Sequence, residues 1–173
     1  MVEVERKWQD REPYPTLAII DSKSIKNADT ANSKGYDSAK KISGIKLHLA
    51  VDILGLPLAM QVTTADKSDK AGATALLSSH FCNLIGIKKV LVDGGYIGAT
   101  FADFVKTVYG AEVEVVKRNE LHKFVVLPKR WIVERSFGWL DKNRRLWKNC
   151  ERNLHSSIQF TVIAFISILL KRY

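Results

Sequence analysis

Residues 88–96 read KKVLVDGGY: two lysines, the apolar run Val90, Leu91 and Val92, then Asp93 and a glycine pair. A short apolar run stopped by Gly-Gly is the pattern of a buried strand breaking into a turn, so Asp93 falls at a strand end. Residues 17–21, LAIID, repeat the pattern and place Asp21 at the end of a second buried strand. Between them, GIKLHLAVD (44–52) alternates Ile45, Leu47, Leu49 and Val51 with Lys46, His48 and Ala50, the period of a half-exposed strand. LPLAMQVTT (56–64) follows a connector containing Gly55, which predicts an antiparallel hairpin.

Helical spacing appears after the hairpin. Asp66 or Ser68 is a candidate N-cap for a helix carrying Ala73, Leu76, Leu77, Phe81 and Leu84. Past Asp93, FADFVKTVY (101–109) puts Phe101, Phe104, Val105 and Val108 on one face, and AEVEVVK (111–117) reads as a further strand. The order of elements predicts a mixed α/β fold. Residues 22–44, SKSIKNADTANSKGYDSAKKISG, are polar and rich in lysine, and a loop is expected there.

A long helix is expected from Pro128, with Val133, Phe137, Leu140 and Trp147 facing the core. Glu134 lies beside that stripe on the row Arg130, Glu134, Gly138, Asp141, Arg145. Arg130 and Glu134 are one turn apart, which fits either a surface ion pair or a functional pair. A glycine at 138 costs about 1 kcal/mol relative to alanine in a helix, and the gap it leaves would admit a metal or a phosphate backbone. Arg130, Arg135, Lys142, Arg144, Arg145 and Lys148 crowd this region among Trp131, Trp139 and Trp147. Arginine forks match phosphate oxygens, so these six cations are the candidate DNA contacts, with a solvated basic face as the alternative.

Asp21, Asp93 and Glu134 thus stand at two strand ends and on a helix. Carboxylates about 4 Å apart repel by roughly 4 kcal/mol per pair at an effective dielectric near 20, so such a set requires cations. Hard divalent ions take oxygen ligands, and a two-metal site stabilises both the attacking and the leaving oxygen of a phosphoryl displacement. Asp52, at the hairpin turn, is a competing carboxylate read as structural. Ser22 and His48 lack the third member of a nucleophilic triad.

The 173 residues suit one domain, and 27 Lys plus Arg against 18 Asp plus Glu leave a net charge of +9. That excess suits a nucleic acid, although it also serves an anionic surface or solubility. Cys82 and Cys150 lack zinc spacing and are expected to pack. The charged N-terminus has no signal-peptide core, and IQFTVIAFISILL (158–170) is short of the roughly 20 residues that span a bilayer. A buried core helix and a cytoplasmic location are expected, with no membrane partner. Pro13 and Pro15 favour an extended entry, so residues 1–15 are read as a linker or truncated boundary and 16–173 as the single domain, which the resemblance given next implies is a catalytic one.

AIIDSKSIK, GYDSAKKISGIKLHLAVDILGLPL, VLVDGGY and RWIVERSFGWLDKNRRLWKNCER together resemble the catalytic domain of bacterial insertion-sequence transposases of the DDE superfamily, in particular the insertion sequence five group. The resemblance runs from about residue 14 onward. It implies a ribonuclease-H-like mixed sheet flanked by helices, with Asp21, Asp93 and Glu134 converging on two Mg²⁺ or Mn²⁺ ions to cut and transfer DNA strands. It also implies that Arg130 contacts phosphate or holds Glu134. Position 127 is Leu where the related signature has Tyr, and position 141 is Asp, with Lys142 one residue later. Only 20 residues precede Asp21, so an N-terminal DNA-binding product of a separate reading frame is an expected partner, beside DNA and a second copy of the chain. A DNA-binding remnant without activity and a ribonuclease-H-like nuclease are the alternative readings.

Overall fold

The computed structural model describes residues 1–116 and 129–171. Its centre is a six-stranded sheet. Strand β1 (Leu17–Lys26) lies between β3 (Ile42–Val51), antiparallel to it, and β5 (Lys89–Asp93), parallel to it. β4 (Pro57–Thr64) and the short β2 (Gly35–Asp37) both pair with β3, and β6 (Glu112–Val116) runs parallel to β5. Five helices complete the described fold: α1 (Val2–Trp8), α2 (Asp69–Ser79), α3 (Ala99–Tyr109), α4 (Trp131–Asp141) and α5 (Leu154–Leu170).

Strand alternation sorts the core into two layers. Ala18, Ile20, Val90 and Val92 pack under Ala73, Leu76 and Leu77 of α2 and Phe101 and Val105 of α3. Ile19, Leu47, Leu49, Val51 and Leu91 face Val133, Phe137 and Leu140 of α4 and Phe165 of α5. Ser68 caps α2 by accepting from Ala71 N, so of the two candidate caps the serine is used.

Several expectations need correction, each for a local physical reason. The expected loop at 22–44 is in part strand: β1 continues to Lys26, and β2 is built from Gly35–Asp37. Ser22 and Ser24 turn inward there and donate to Asp69 Oδ1 (2.7 Å) and Asp37 Oδ2 (2.6 Å), so polar residues hide a buried strand. β3 is covered on both faces rather than half-exposed. Lys46 is buried because its ammonium meets Asp69 (3.0 Å), Asp37 (3.5 Å) and the Lys67 carbonyl (2.8 Å). His48 is fully buried against Thr63 Oγ1 (3.0 Å) beneath Gly72, where any Cβ would stand 2.0 Å from the imidazole.

The expected long helix is interrupted. α4 stops at Asp141, and a 3-10 turn at Arg144–Leu146 precedes α5. Asn143 donates its side-chain amide toward the carbonyls of Trp139 (3.4 Å) and Leu140 (3.3 Å), closing the helix end. Trp147 therefore leaves the core stripe and is 63% exposed. The helix start expected at Pro128, with Leu127 before it, lies outside the described residues.

The entry segment forms the short α1 before the two prolines, and its Arg6 makes a buried ion pair with Asp52. α5 buries only one face, with Thr161, Ala164, Phe165 and Leu169 inside and Ile163 and Leu170 outside. Cys82 is exposed rather than packed, and Phe81 beside it, on the 3-10 turn Phe81–Leu84, is exposed as well. Among the described residues no helix is long and apolar enough to cross a membrane.

Candidate active site

β1 and β5 pair in parallel with Leu17 opposite Lys89, Ala18 opposite Val90 and Ile19 opposite Leu91. Two residues beyond the last of these pairs stand Asp21 and Asp93, near enough for the Asp93 charge to act on the Asp21 carboxyl. Both follow the odd positions Ile19 and Leu91, so both face α4. Asp21 Oδ1 accepts from Ser22 N (2.7 Å), while Asp93 Oδ1 accepts from Gly95 N (2.9 Å) and caps the 3-10 turn Gly94–Tyr96. Burial raises the Asp21 carboxyl to about 6. The Ser22 amide, Arg130 and Lys40 pull it down, while the Asp93 charge adds to the rise.

Glu134 is supplied by the first turn of α4. Arg130, immediately before that helix, donates through Nη2 to Glu134 Oε1 and through Nη1 to Asp93 Oδ2 (3.5 Å). The pair expected from spacing is therefore a three-residue bridge between helix and sheet. Among the described residues, no three Asp, Glu, His or Cys side chains converge closely enough to hold one ion together. Gly138, one turn beyond Glu134, has open space where a Cβ would be.

The placement of α4 depends on the β3–β4 turn. Arg135 Nη2 donates to Leu54 O (2.9 Å), and Ser136 Oγ donates to Gly55 O (2.9 Å). Gly55 holds φ +80°, and a Cβ there would come within 2.8 Å of Ser136 Oγ. The Arg135 guanidinium lies between the rings of Trp131 and Trp139, 4.7 and 5.0 Å from their centroids. Asp52 anchors the same turn, accepting from Leu54 N (2.9 Å) and Leu56 N (2.8 Å) while paired with Arg6. That is the structural role expected of Asp52.

The six candidate DNA contacts separate accordingly. Arg135 is the one held between two indoles and on the Leu54 carbonyl. Arg145 pairs with Glu151 (2.7 Å) and covers Phe160, 4.9 Å from its centroid. Arg130 serves the carboxylates. Lys142, Arg144 and Lys148 are exposed and form no ion pair among the described residues. Lys23, two residues past Asp21 on the same strand face, pairs with Asp141.

Sequence reasoning missed a second rank of residues behind Asp21 and Asp93. Asp69, at the start of α2, accepts from Ser22 and Lys46, and its carboxylate stands beside Gly95. Burial would raise Asp69, but the Ser22 and Lys46 hydrogen bonds outweigh it and keep the group below the usual carboxylate range. Nothing in ADKSDK (65–70) distinguishes Asp69 from its solvated neighbours. Tyr96, by contrast, was visible as the end of the DGGY motif.

β1 runs on past Asp21, which lies midway along it rather than at the strand end expected, while Asp93 does end β5. A mixed sheet with these two aspartates on neighbouring strands, faced by a helix that carries a glutamate, is the architecture of the ribonuclease-H-like class of phosphoryl-transfer cores. Residues 13–170 match the protein family described as Transposase DDE domain. The chain belongs to that family and acts in DNA transposition, as an enzyme that cuts DNA and transfers strands. It is 29% identical over 132 residues to a putative transposase for insertion sequence element IS6501 from Brucella ovis, covering 73% of this chain and 98% of that protein.

Two solved structures share the fold. The catalytic core domain of BIV integrase superposes with a TM-score of 0.54 at 11% identity, over 88% of this chain and 82% of the other. A simian T-cell lymphotropic virus intasome, in complex with the PP2A regulatory subunit B56 gamma, gives 0.55 at 14% identity, over 88% of this chain and 48% of the other. Divalent metals are normal for the family.

Proposed function

We propose that Asp21, Asp93 and Glu134 are the catalytic carboxylates of this transposase, that they hold a pair of Mg²⁺ or Mn²⁺ ions, and that the substrate is DNA at the ends of an insertion element. The observation that carries this reading is the Arg130 guanidinium lodged between Asp93 and Glu134, with Asp21 near enough to feel the charges of both Asp93 and Arg130. Three acids from three elements are arranged around a positive charge. The donor set is all oxygen, which fits hard divalent ions.

When bound, the ions would activate the attacking hydroxyl and stabilise the leaving 3′ oxygen. The chain's own residues do the positioning. The hairpin turn, gripped by Arg135 and Ser136, fixes α4 and with it Glu134 against the sheet. Arg130 holds the Glu134 carboxylate in place and offers a fork that suits a phosphate oxygen. Lys142, Arg144 and Lys148 supply exposed charge for the DNA backbone.

We assign residues 16–173 to the catalytic domain and 1–15 to its boundary, with a second copy of the chain and a separate DNA-binding reading-frame product as partners. Incubation with labelled element-end DNA tests the reading: nicking and joining are expected with Mg²⁺ or Mn²⁺ and are lost in chelator. Cleavage of an RNA–DNA hybrid with no preference for element ends would instead identify a host-type nuclease. Binding without cleavage under any divalent ion would identify an inactive remnant.

A further inference from the structure

The charges of Arg130 and Lys40 both bear on the Asp21 carboxyl. Arg130 is spent on Asp93 and Glu134. Lys40 is exposed and forms no ion pair among the described residues, although its charge also reaches Asp37 and Asp69. The neighbouring lysines are committed: Lys46 is buried between Asp37 and Asp69, and Lys23 pairs with Asp141. Lys40 thus keeps its three N–H donors for a ligand.

Lys40 belongs to the turn 38–41 that joins β2 to β3, and that turn is fixed to the strand carrying Asp21. Asp37, 7% exposed, is the fastener. Its Oδ1 accepts from Ala39 N and Lys40 N (3.1 Å each). Its Oδ2 accepts from Ser24 Oγ (2.6 Å), three residues past Asp21 on β1, and meets the Lys46 ammonium at 3.5 Å. The base of the hairpin is close-packed as well, since a Cβ at Gly44 would stand 2.0 Å from Ile25 O. Lys41 ends the turn at φ +54°, a backbone region that glycine fills at least cost. An exposed cation held in an unfavourable backbone conformation is an outlier of the kind that marks binding positions.

We infer that the β2–β3 turn grips the DNA backbone beside the carboxylates, Lys40 giving its ammonium to a phosphate next to the one that is cut and Lys41 adding a second positive charge. A phosphodiester brought to Asp21, Asp93 and Glu134 is repelled by them, and a free cation at their rim offsets part of that repulsion. This contact is separate from the one given to Lys142, Arg144 and Lys148. The inference rests on the reading that the three carboxylates cut DNA.

The test measures binding of the wild type, Lys40→Ala and Lys40→Arg to labelled element-end DNA in chelator at several salt concentrations, with Tm recorded alongside. Lys40→Ala is expected to bind about 5-fold more weakly, with the slope of log K against log salt reduced by about 0.9 and Tm unchanged. Lys40→Arg should restore both, because it keeps the charge. When a methylphosphonate replaces the scissile phosphate or either neighbour, the Lys40→Ala penalty should vanish at one neighbour, where the charge it serves is gone. Wild-type affinity and slope in Lys40→Ala overturn the inference, as does a penalty undiminished at every methylphosphonate position. Lys41→Gly should weaken binding while holding or raising Tm, since glycine relieves the backbone as the charge is lost; unchanged binding overturns the part given to Lys41. Cleavage by Asp93→Ala separates the two readings. If Asp93→Ala loses cleavage while Lys40→Ala binds as the wild type does, only the role of the turn fails; if Asp93→Ala cleaves at the wild-type rate, the carboxylate reading fails and the placement of Lys40 falls with it.

Discussion

Arg130 joins two acids that the chain brings from different layers: Asp93 at the end of β5 and Glu134 in the first turn of α4. A guanidinium has the fork to serve two carboxylates at once, whereas a lysine ammonium is a point charge. Arg130→Ala is therefore expected to leave Asp93 and Glu134 without a cation between them and to reduce strand cleavage by 10-fold or more. Arg130→Lys should recover only part of it. Steady-state cleavage of element-end DNA measures both, and full activity in Arg130→Lys would show that bridging geometry is irrelevant.

The Asp21 carboxyl is raised from 3.8 to about 6, first by burial and with a contribution from Asp93. A group whose pKa is raised on folding stabilises the fold below its unfolded value and loses that contribution as pH rises through the folded value. At pH 7.5 the ionised Asp21 thus opposes folding in the absence of metal. Asp21→Asn should raise the metal-free Tm, by a free energy on the order of 1–3 kcal/mol, while abolishing cleavage. A lower Tm in chelator would mean that Asp21 supports the fold rather than the chemistry.

Acid sensitivity should come from His48. Burial, the largest cause, lowers its pKa from 6.5 to about 4; Asp69 opposes the shift, and Lys46 and Lys40 add to it. Thr63 and Gly72 close the remaining sides. A pKa depressed on folding gives stability that is intact above 6.5 and falls as pH drops toward 4. Asp21 changes stability in the opposite sense over the same window, so the loss is read in an Asp21→Asn background: denaturant unfolding between pH 7 and pH 4 should show it there, and adding His48→Gln should flatten the slope by about one proton. An unchanged slope would place the sensitivity elsewhere.

Lys142, Arg144 and Lys148 are exposed without partners among the described residues, whereas Arg135 is held between two indoles. Replacing the first three with alanine should weaken DNA binding and reduce the salt dependence of log K by roughly 2–3, since each phosphate contact contributes about 0.9. Arg135→Ala should instead lower Tm and leave the salt slope alone. Titrations at several salt concentrations distinguish the two, and a slope change in Arg135→Ala would reverse the assignment.

The apolar runs ending in Asp21 and Asp93 were legible because a strand buried on both faces needs little more than consecutive hydrophobic residues. The helical turn joining Arg130 to Glu134 was legible from spacing alone. What was hidden depends on partners distant in sequence. Ser22 and Ser24 read as loop until Asp69 and Asp37 are seen to accept their hydroxyl protons. Lys46 reads as solvent-facing until two acids and a carbonyl are found around it. The role of Arg135 was written in the sequence all the same, since Trp131, Arg135 and Trp139 recur every four residues on one helix face.

The central claim is that the carboxylates of β1, β5 and α4 cut DNA as one unit. The most direct test compares the wild type with Asp93→Ala on labelled element-end DNA in Mn²⁺, scoring nicked and joined products alongside DNA binding in chelator. The account predicts that Asp93→Ala binds DNA as the wild type does and produces neither nick nor joint. Cleavage by Asp93→Ala at the wild-type rate would contradict it.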